Sequence, residues 1–207
     1  MVAGVPQGGD WDWVRPHLSL GFCLALVHGR TEAELVTAFG VYEPWAEVLD
    51  FDTAADQFDP YEMIRMGRVG DWAFAWQEPA GGTADQDVLR ELSVGGRALS
   101  VLQTGSALAW FGLMVDGVEE LAFEPMFPTH RRGSRPDEYV PLMTEVGLLP
   151  PAHPDNPGRP SPTLAALSLA TAVTGVTLSV ATITGPLLTG EIGNYDLGED
   201  DGPHGPW

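Results

Sequence analysis

The sequence predicts a single α+β domain in which a mostly antiparallel sheet of about five strands is packed by helices. Three observations predict it. Apolar residues alternate with period two over short segments between Met63 and Glu124. Helix start and stop signals flank that block on both sides. A chain of 207 residues with 44% hydrophobic content is long enough to bury one substantial core.

In chain order, residues 1–10 are Gly/Pro-rich and read as a loose segment, followed by an α+β core over 11–148. The run WDWVRPHLSLGFCLALVHG predicts a helix from about His17 to Val27, with Leu18, Phe22 and Leu26 as an i, i+4 stripe and Gly29 as its stop. Thr31 caps a second helix, Glu34 completes a capping box, and Gly40 ends it. Strands follow at Met63–Arg68, Trp72–Gln77, Arg97–Gln103, Ala107–Val115 and Val118–Phe123, with Thr83 heading a short helix that carries Val88 and Leu92.

Asp116-Gly117 is the strongest hairpin signal, because a type I′ turn needs positive φ at both central residues. A two-residue loop pairs Val115 with Val118 and Met114 with Glu119. Continued regularly, it pairs Gly112 with Leu121 and Trp110 with Phe123, so Trp110, Leu121 and Phe123 should share a face and Glu120 and Glu124 the opposite one.

Beyond the sheet, Pro136 to Glu145 reads as a helix stopped by Gly147. Residues 149–162 hold six prolines in fourteen positions and form a strap. The segment 163–190 reads as C-terminal helices packed on the core: Thr163 to Val173, with Ser161 as cap, Pro162 at the first position and Gly175 as stop, then a short helix capped by Thr177. Residues 191–207 form an acidic tail expected to be disordered.

In GDWAFAWQEP, Trp72, Phe74 and Trp76 recur at every second position, with Ala73 and Ala75 between them. On a strand the rings share one face and the alanines the other, where a helix can pack closely. Each ring carries about 150–250 Å² of surface. That is too much to leave in water, so the row is expected to be core, roofed by the helix of Leu18, Phe22 and Leu26 rather than open to a ligand.

The formal charge is −19, from 29 carboxylates against ten arginines and no lysine. A GC-rich genome explains the missing lysine; selection against lysine modification or lysine-tagged degradation is the sharper alternative. A chain so acidic is repelled by nucleic acid and anionic lipid, which leaves a basic protein partner or nucleic-acid mimicry. The one cysteine, Cys23, sits in an apolar run and can form no intrachain disulfide, which with the absence of a signal-peptide pattern points to the cytoplasm. Residues 160–190 carry no charge, but they are rich in Ser and Thr, broken by Gly175, Gly185 and Pro186, and followed by acids rather than basic anchors. A soluble helix pair is expected there and no membrane span.

No phosphate-loop, dinucleotide, nucleophile-elbow or zinc-protease motif occurs. Asp50, Asp52, Asp56 and Asp59 lack the Gly and closing Glu of a calcium loop and read as solvated and helix-starting groups. The five histidines show no pair at zinc-ligand spacing. No catalytic residue, metal or cofactor is assigned. The best local candidate for a functional contact is THRRGSRPDE, where His130, Arg131, Arg132 and Arg135 sit on a Gly/Ser loop able to clamp a phosphate or carboxylate, or to tie itself to the protein's own acids.

The phrases GFCLALVHGRT (Gly21–Thr31), GRVGDWAFAWQE (Gly67–Glu78), RELSVGGRALSV (Arg90–Val101) and GSRPDEYVPLMTEVGL (Gly133–Leu148) resemble an uncharacterised actinobacterial family known as a domain of unknown function. The resemblance covers roughly residues 11–185. It implies a soluble cytoplasmic protein and brings no established activity or catalytic residues. The expected function is a non-catalytic interaction module of immunity or regulatory type that binds a more basic protein. The alternative is a small-molecule or phosphate/carboxylate-handling enzyme in which the His130–Arg135 loop converges with a carboxylate such as Glu78. Oligomeric state and partner identity are left open.

Overall fold

The computed structural model describes residues 8–80, 85–149 and 161–193. Residues 1–7, Thr83, most of the strap and residues 194–207 lie outside the described part. One antiparallel sheet of eight strands runs through the domain: β1 (Gly21–His28), β2 (Glu47–Leu49), β3 (Met63–Val69), β4 (Trp72–Gln77), β5 (Arg97–Thr104), β6 (Ala109–Val115), β7 (Val118–Phe123) and β8 (Leu187–Glu191), in the order β2-β8-β3-β4-β1-β5-β6-β7. The five expected strands are all present. Three more join them, so the sheet is wider than the sequence predicts.

The first helix expectation is corrected. Residues 8–19 form an irregular 3₁₀ segment, and the apolar run after it is strand β1, seven of whose eight residues are buried. A strand covered on both faces loses its polar/apolar alternation and reads as an unbroken apolar run. Phe22 and Leu26 fit an i, i+4 stripe, but with Leu24 they also fit period two. In register, Leu24 faces Trp76 and Leu26 faces Phe74 on β4. These residues therefore lie beside the ring row instead of roofing it, and Phe22 stacks on Trp76 with centroids 5.0 Å apart.

The roof over Trp72, Phe74 and Trp76 is built from the 8–19 segment and α5 (Pro162–Thr174). Trp13 packs 5.4 Å from Trp76, and the buried Trp11 indole donates to the Thr171 hydroxyl of α5 at 2.9 Å. Nine consecutive residues of α5, Thr163 to Thr171, are buried. A helix apolar all round belongs inside a core, and this accounts for the uncharged stretch that resembled a membrane span. Among the described residues no helix is long and apolar enough to cross a membrane.

The same face receives α4 (Val140–Glu145) and α6 (Val180–Thr184). The opposite face, with Ala25, Val27, Ala73, Ala75 and Ala98, is covered by α1 (Glu32–Ala38) and α3 (Gln86–Leu92). The small side chains let α1 approach closely. α2 (Phe51–Gln57) lies outside the sheet beside α6.

Local signals held where the chemistry is local. Thr31 and Glu34 form both halves of a capping box on α1. Gly175 closes α5 at φ 75°. Asp116 and Gly117 have φ 47° and 76°, as a type I′ turn requires. Two caps fall elsewhere than expected: Asp85 caps α3, and Ser179, not Thr177, caps α6. Segment 163–190 is not helical throughout, since its last part is β8, inserted between β2 and β3.

The hairpin register is corrected beyond its second pair. Val115 faces Val118 and Met114 faces Glu119, but a bulge then places Leu113 opposite Leu121 and Phe111 opposite Phe123. Phe111, not Trp110, joins the core rings, stacking on Phe123 at 5.0 Å. Glu120 is the extra residue of the bulge, and it meets Tyr139 on the core-ring side.

Candidate functional site

The His130–Arg135 loop follows a short 3₁₀ turn, Pro128–His130, and folds back along β7. Its main chain continues the sheet. Arg132 N–H donates to the Ala122 carbonyl at 2.9 Å and Ala122 N–H to the Arg132 carbonyl at 2.8 Å. Ser134 and Arg135 N–H donate to the carbonyls of Glu119 and Glu120 at 2.8 and 3.1 Å. Gly133 makes the close approach possible: its φ is 126°, and a Cβ there would lie 2.3 Å from the Glu120 oxygen.

The side chains of this loop diverge. Arg131 donates twice to one Asp137 oxygen, at 2.7 and 3.1 Å. Arg132 forms a fork on Glu119, at 3.0 and 3.3 Å, and lies 4.9 Å over the Trp110 ring. Hydrogen bonding to Glu119 raises the Arg132 pKa further. Arg135 stands 3.7 Å from Glu138 and 3.9 Å from Glu120, and the exposed His130 stacks on Phe127 at 6.1 Å. Glu78 holds His17 at 2.7 Å, so it does not join the loop. The convergence that acid–base work at this loop would need is therefore not formed; the main chain of Arg132–Arg135 covers the β7 edge, and the Arg132 and Arg135 side chains face its carboxylates.

Behind Arg135, the Tyr139 hydroxyl donates to Glu120 at 2.5 Å. Burial, then this hydrogen bond, pushes the phenol pKa far above its ordinary value, while Arg97 pulls the other way. Arg65 is fully buried. It donates to the carbonyls of Leu49 and Gly185 at 2.8 and 2.6 Å, bolting β2 and the end of α6 to β3, and desolvation lowers its pKa.

Two further features come from strand pairing and were not visible in the sequence. The first is the β2 edge. The seven carboxylates Glu43, Glu47, Asp50, Asp52, Asp56, Asp59 and Glu62 are all exposed, and no cation lies between residues 43 and 62. Asp50 caps α2 through the Thr53 amide, and that bond lowers its pKa. Val48 and Tyr61 stand 67% and 72% exposed among these acids.

The second is a cleft of about 660 Å³ where α5 ends, lined by His28, Trp72, Gly95–Arg97, Val115, Asp116, Val173 and Thr174. Register explains it. Trp72 faces His28, and Val27 faces Ala98, so His28 lies beside Arg97, which faces Val115. One row of side chains thus crosses four strands. The sequence hides it because β1 joins β4 and β5 only through long-range pairing.

No curated protein and no solved structure matches this chain significantly. The sequence model of one family does match, over residues 8–186, nearly all of the described domain. With its eight-stranded sheet roofed by the buried helix α5, the chain belongs to the family of unknown function DUF6461.

Proposed function

We propose that this protein is a non-catalytic interaction module of immunity or regulatory type, which binds a more basic protein partner through the acidic face at its β2 edge. The observation that supports the reading is how charge is partitioned. Six described arginines, at positions 15, 30, 90, 131, 132 and 135, are spent on the protein's own carboxylates. Arg65 is buried. The acids of residues 43–62 form no ion pair with an arginine among the described residues, and the exposed Val48 and Tyr61 lie in the same segment. A field of this kind steers a cationic surface and repels nucleic acid. The same charges guard an edge strand against pairing with a second copy. The reading puts the protein in the cytoplasm of an actinobacterium, as the sequence resemblance implied.

The test is capture of partners from lysate of the source organism, with wild-type protein and with a variant carrying Glu43→Gln, Glu47→Gln, Asp52→Asn and Asp56→Asn. These positions leave the Asp50 cap and the Asp59 turn intact. A basic protein retained by wild type, released by salt and lost with the variant supports the proposal. Equal retention by both, or no specific retention, overturns it.

A further inference from the structure

We propose that the cleft beside the end of α5 binds a small organic monocarboxylate with a flat apolar body, its carboxylate on Arg97 and its body against Val115, Val173 and the small exposed part of Trp72. The site uses none of the β2-edge residues, so it stands or falls separately from the interaction face.

Arg97 carries the inference. Among the described arginines its side chain alone donates no hydrogen bond and makes no ion pair, in a chain with 29 carboxylates. Its neighbours explain why. It faces Val115 on β6, and on its other side the ladder ends at Val27 and Ala98, next to His28; neither Val115 nor His28 is an anion. Asp116 is committed to the turn, accepting from the Gly95 amide at 3.0 Å. Glu120 accepts from Tyr139. A planar guanidinium left free at the mouth of a cleft suits two parallel hydrogen bonds to a carboxylate.

The remaining walls select the rest of the ligand. Trp72 is almost buried, and its ring lies 5.1 Å from His28 in an edge contact. With Val115 and Val173 it makes an apolar wall, and Gly95 adds no side chain to the mouth. The volume falls in the range of small-molecule sites, about 300–1,000 Å³. Asp116 and the carbonyl end of α5 at Val173 and Thr174 bring negative potential to the far side. That potential rejects a multiply charged anion such as phosphate, so a single carboxylate on an apolar ring is the class that fits.

The experiment uses the full chain with ¹³C-labelled valine methyls, following Val115 and Val173 while phenylacetate is added. Phenylacetamide, phenethylamine and inorganic phosphate are the comparison probes. Phenylacetate should shift both residues saturably, with a dissociation constant on the order of 1 mM for so small a probe. Arg97→Gln, at an exposed position, should weaken binding about tenfold or more, and phenylacetamide should be weakened similarly. Arg90→Gln, away from the cleft, should change nothing. The proposal is overturned if phenylacetate leaves the methyls unmoved, if Arg97→Gln binds as well as wild type, if phosphate binds equally, or if phenethylamine is preferred.

Discussion

Gly133→Ala tests whether the arginine loop is an edge cover. The substitution acts in two ways. A side chain at φ 126° is strained by about 1–3 kcal/mol, and its Cβ would sit 2.3 Å from one backbone atom and 2.9 Å from another. Main chain cannot yield as a side chain does, so the loop must lift away from β7. Lifting breaks four main-chain hydrogen bonds, between Ala122 and Arg132 in both directions and from Ser134 and Arg135. Each is worth about 0.5–1.5 kcal/mol net, because the freed groups reach water. The chain takes the cheaper of strain and release, so a loss of about 2–4 kcal/mol is expected. In a domain of this size that is a fall in melting temperature of roughly 5–15 °C. Gly40→Ala is the control: its φ is 69° with open space around it, so it reports strain alone, about 1–2 kcal/mol. Calorimetry gives the loss, hydrogen exchange at the Ala122 amide shows whether the loop has lifted, and light scattering detects association through the uncovered strand. If Gly133→Ala melts within about 2 °C of wild type with the Ala122 amide still protected, the edge-cover reasoning is wrong.

Trp76→Ala should cost about 3–5 kcal/mol and abolish the near-ultraviolet dichroism of the Phe22–Trp76–Trp13 stack, measured by denaturant titration and circular dichroism. Tyr139 has its pKa raised on folding, so its contribution is whole below about pH 10, the unfolded value, and is lost as pH rises toward the folded one. Stability measured at increasing alkaline pH should decline less steeply in Tyr139→Phe. Glu34 has the opposite sign: hydrogen bonds from Thr31 lower its pKa, so the α1 capping box acts above the unfolded carboxylate range and fails as pH falls through the folded value. Glu34→Gln should lower the melting temperature at neutral pH and flatten that part of the acid-side decline.

What the sequence reveals follows the range of the interactions. The strands from Met63 to Phe123, the α1 capping box and the Asp116-Gly117 turn depend on neighbours a few residues away, and they are readable. β1 is misread because burial on both faces erases its alternation. β2 has three residues, and β8, LLTGE, contains a glycine, so neither carries enough pattern to announce a strand. The Glu120 bulge escapes because VEELAF suits two registers, and only packing against Tyr139 and the core rings decides between them. The arginine loop is conspicuous by composition, but Asp137 and Glu119 engage its cations only once the chain has folded back along β7. The Trp72–His28–Arg97 row depends on pairing between segments up to some seventy positions apart, which no local signal encodes.

The position of β8 bears on how the molecule is made. During synthesis β3 leaves the ribosome well over a hundred residues before β8, yet β8 is its neighbour on one side. Among the described residues β2 pairs with β8 alone, so it too must wait. Delayed closure leaves a nascent chain with a bare ladder at β3 and its acid-bearing strand undocked. The outward face at that edge is thus the last part of the sheet to assemble, because it waits on β8.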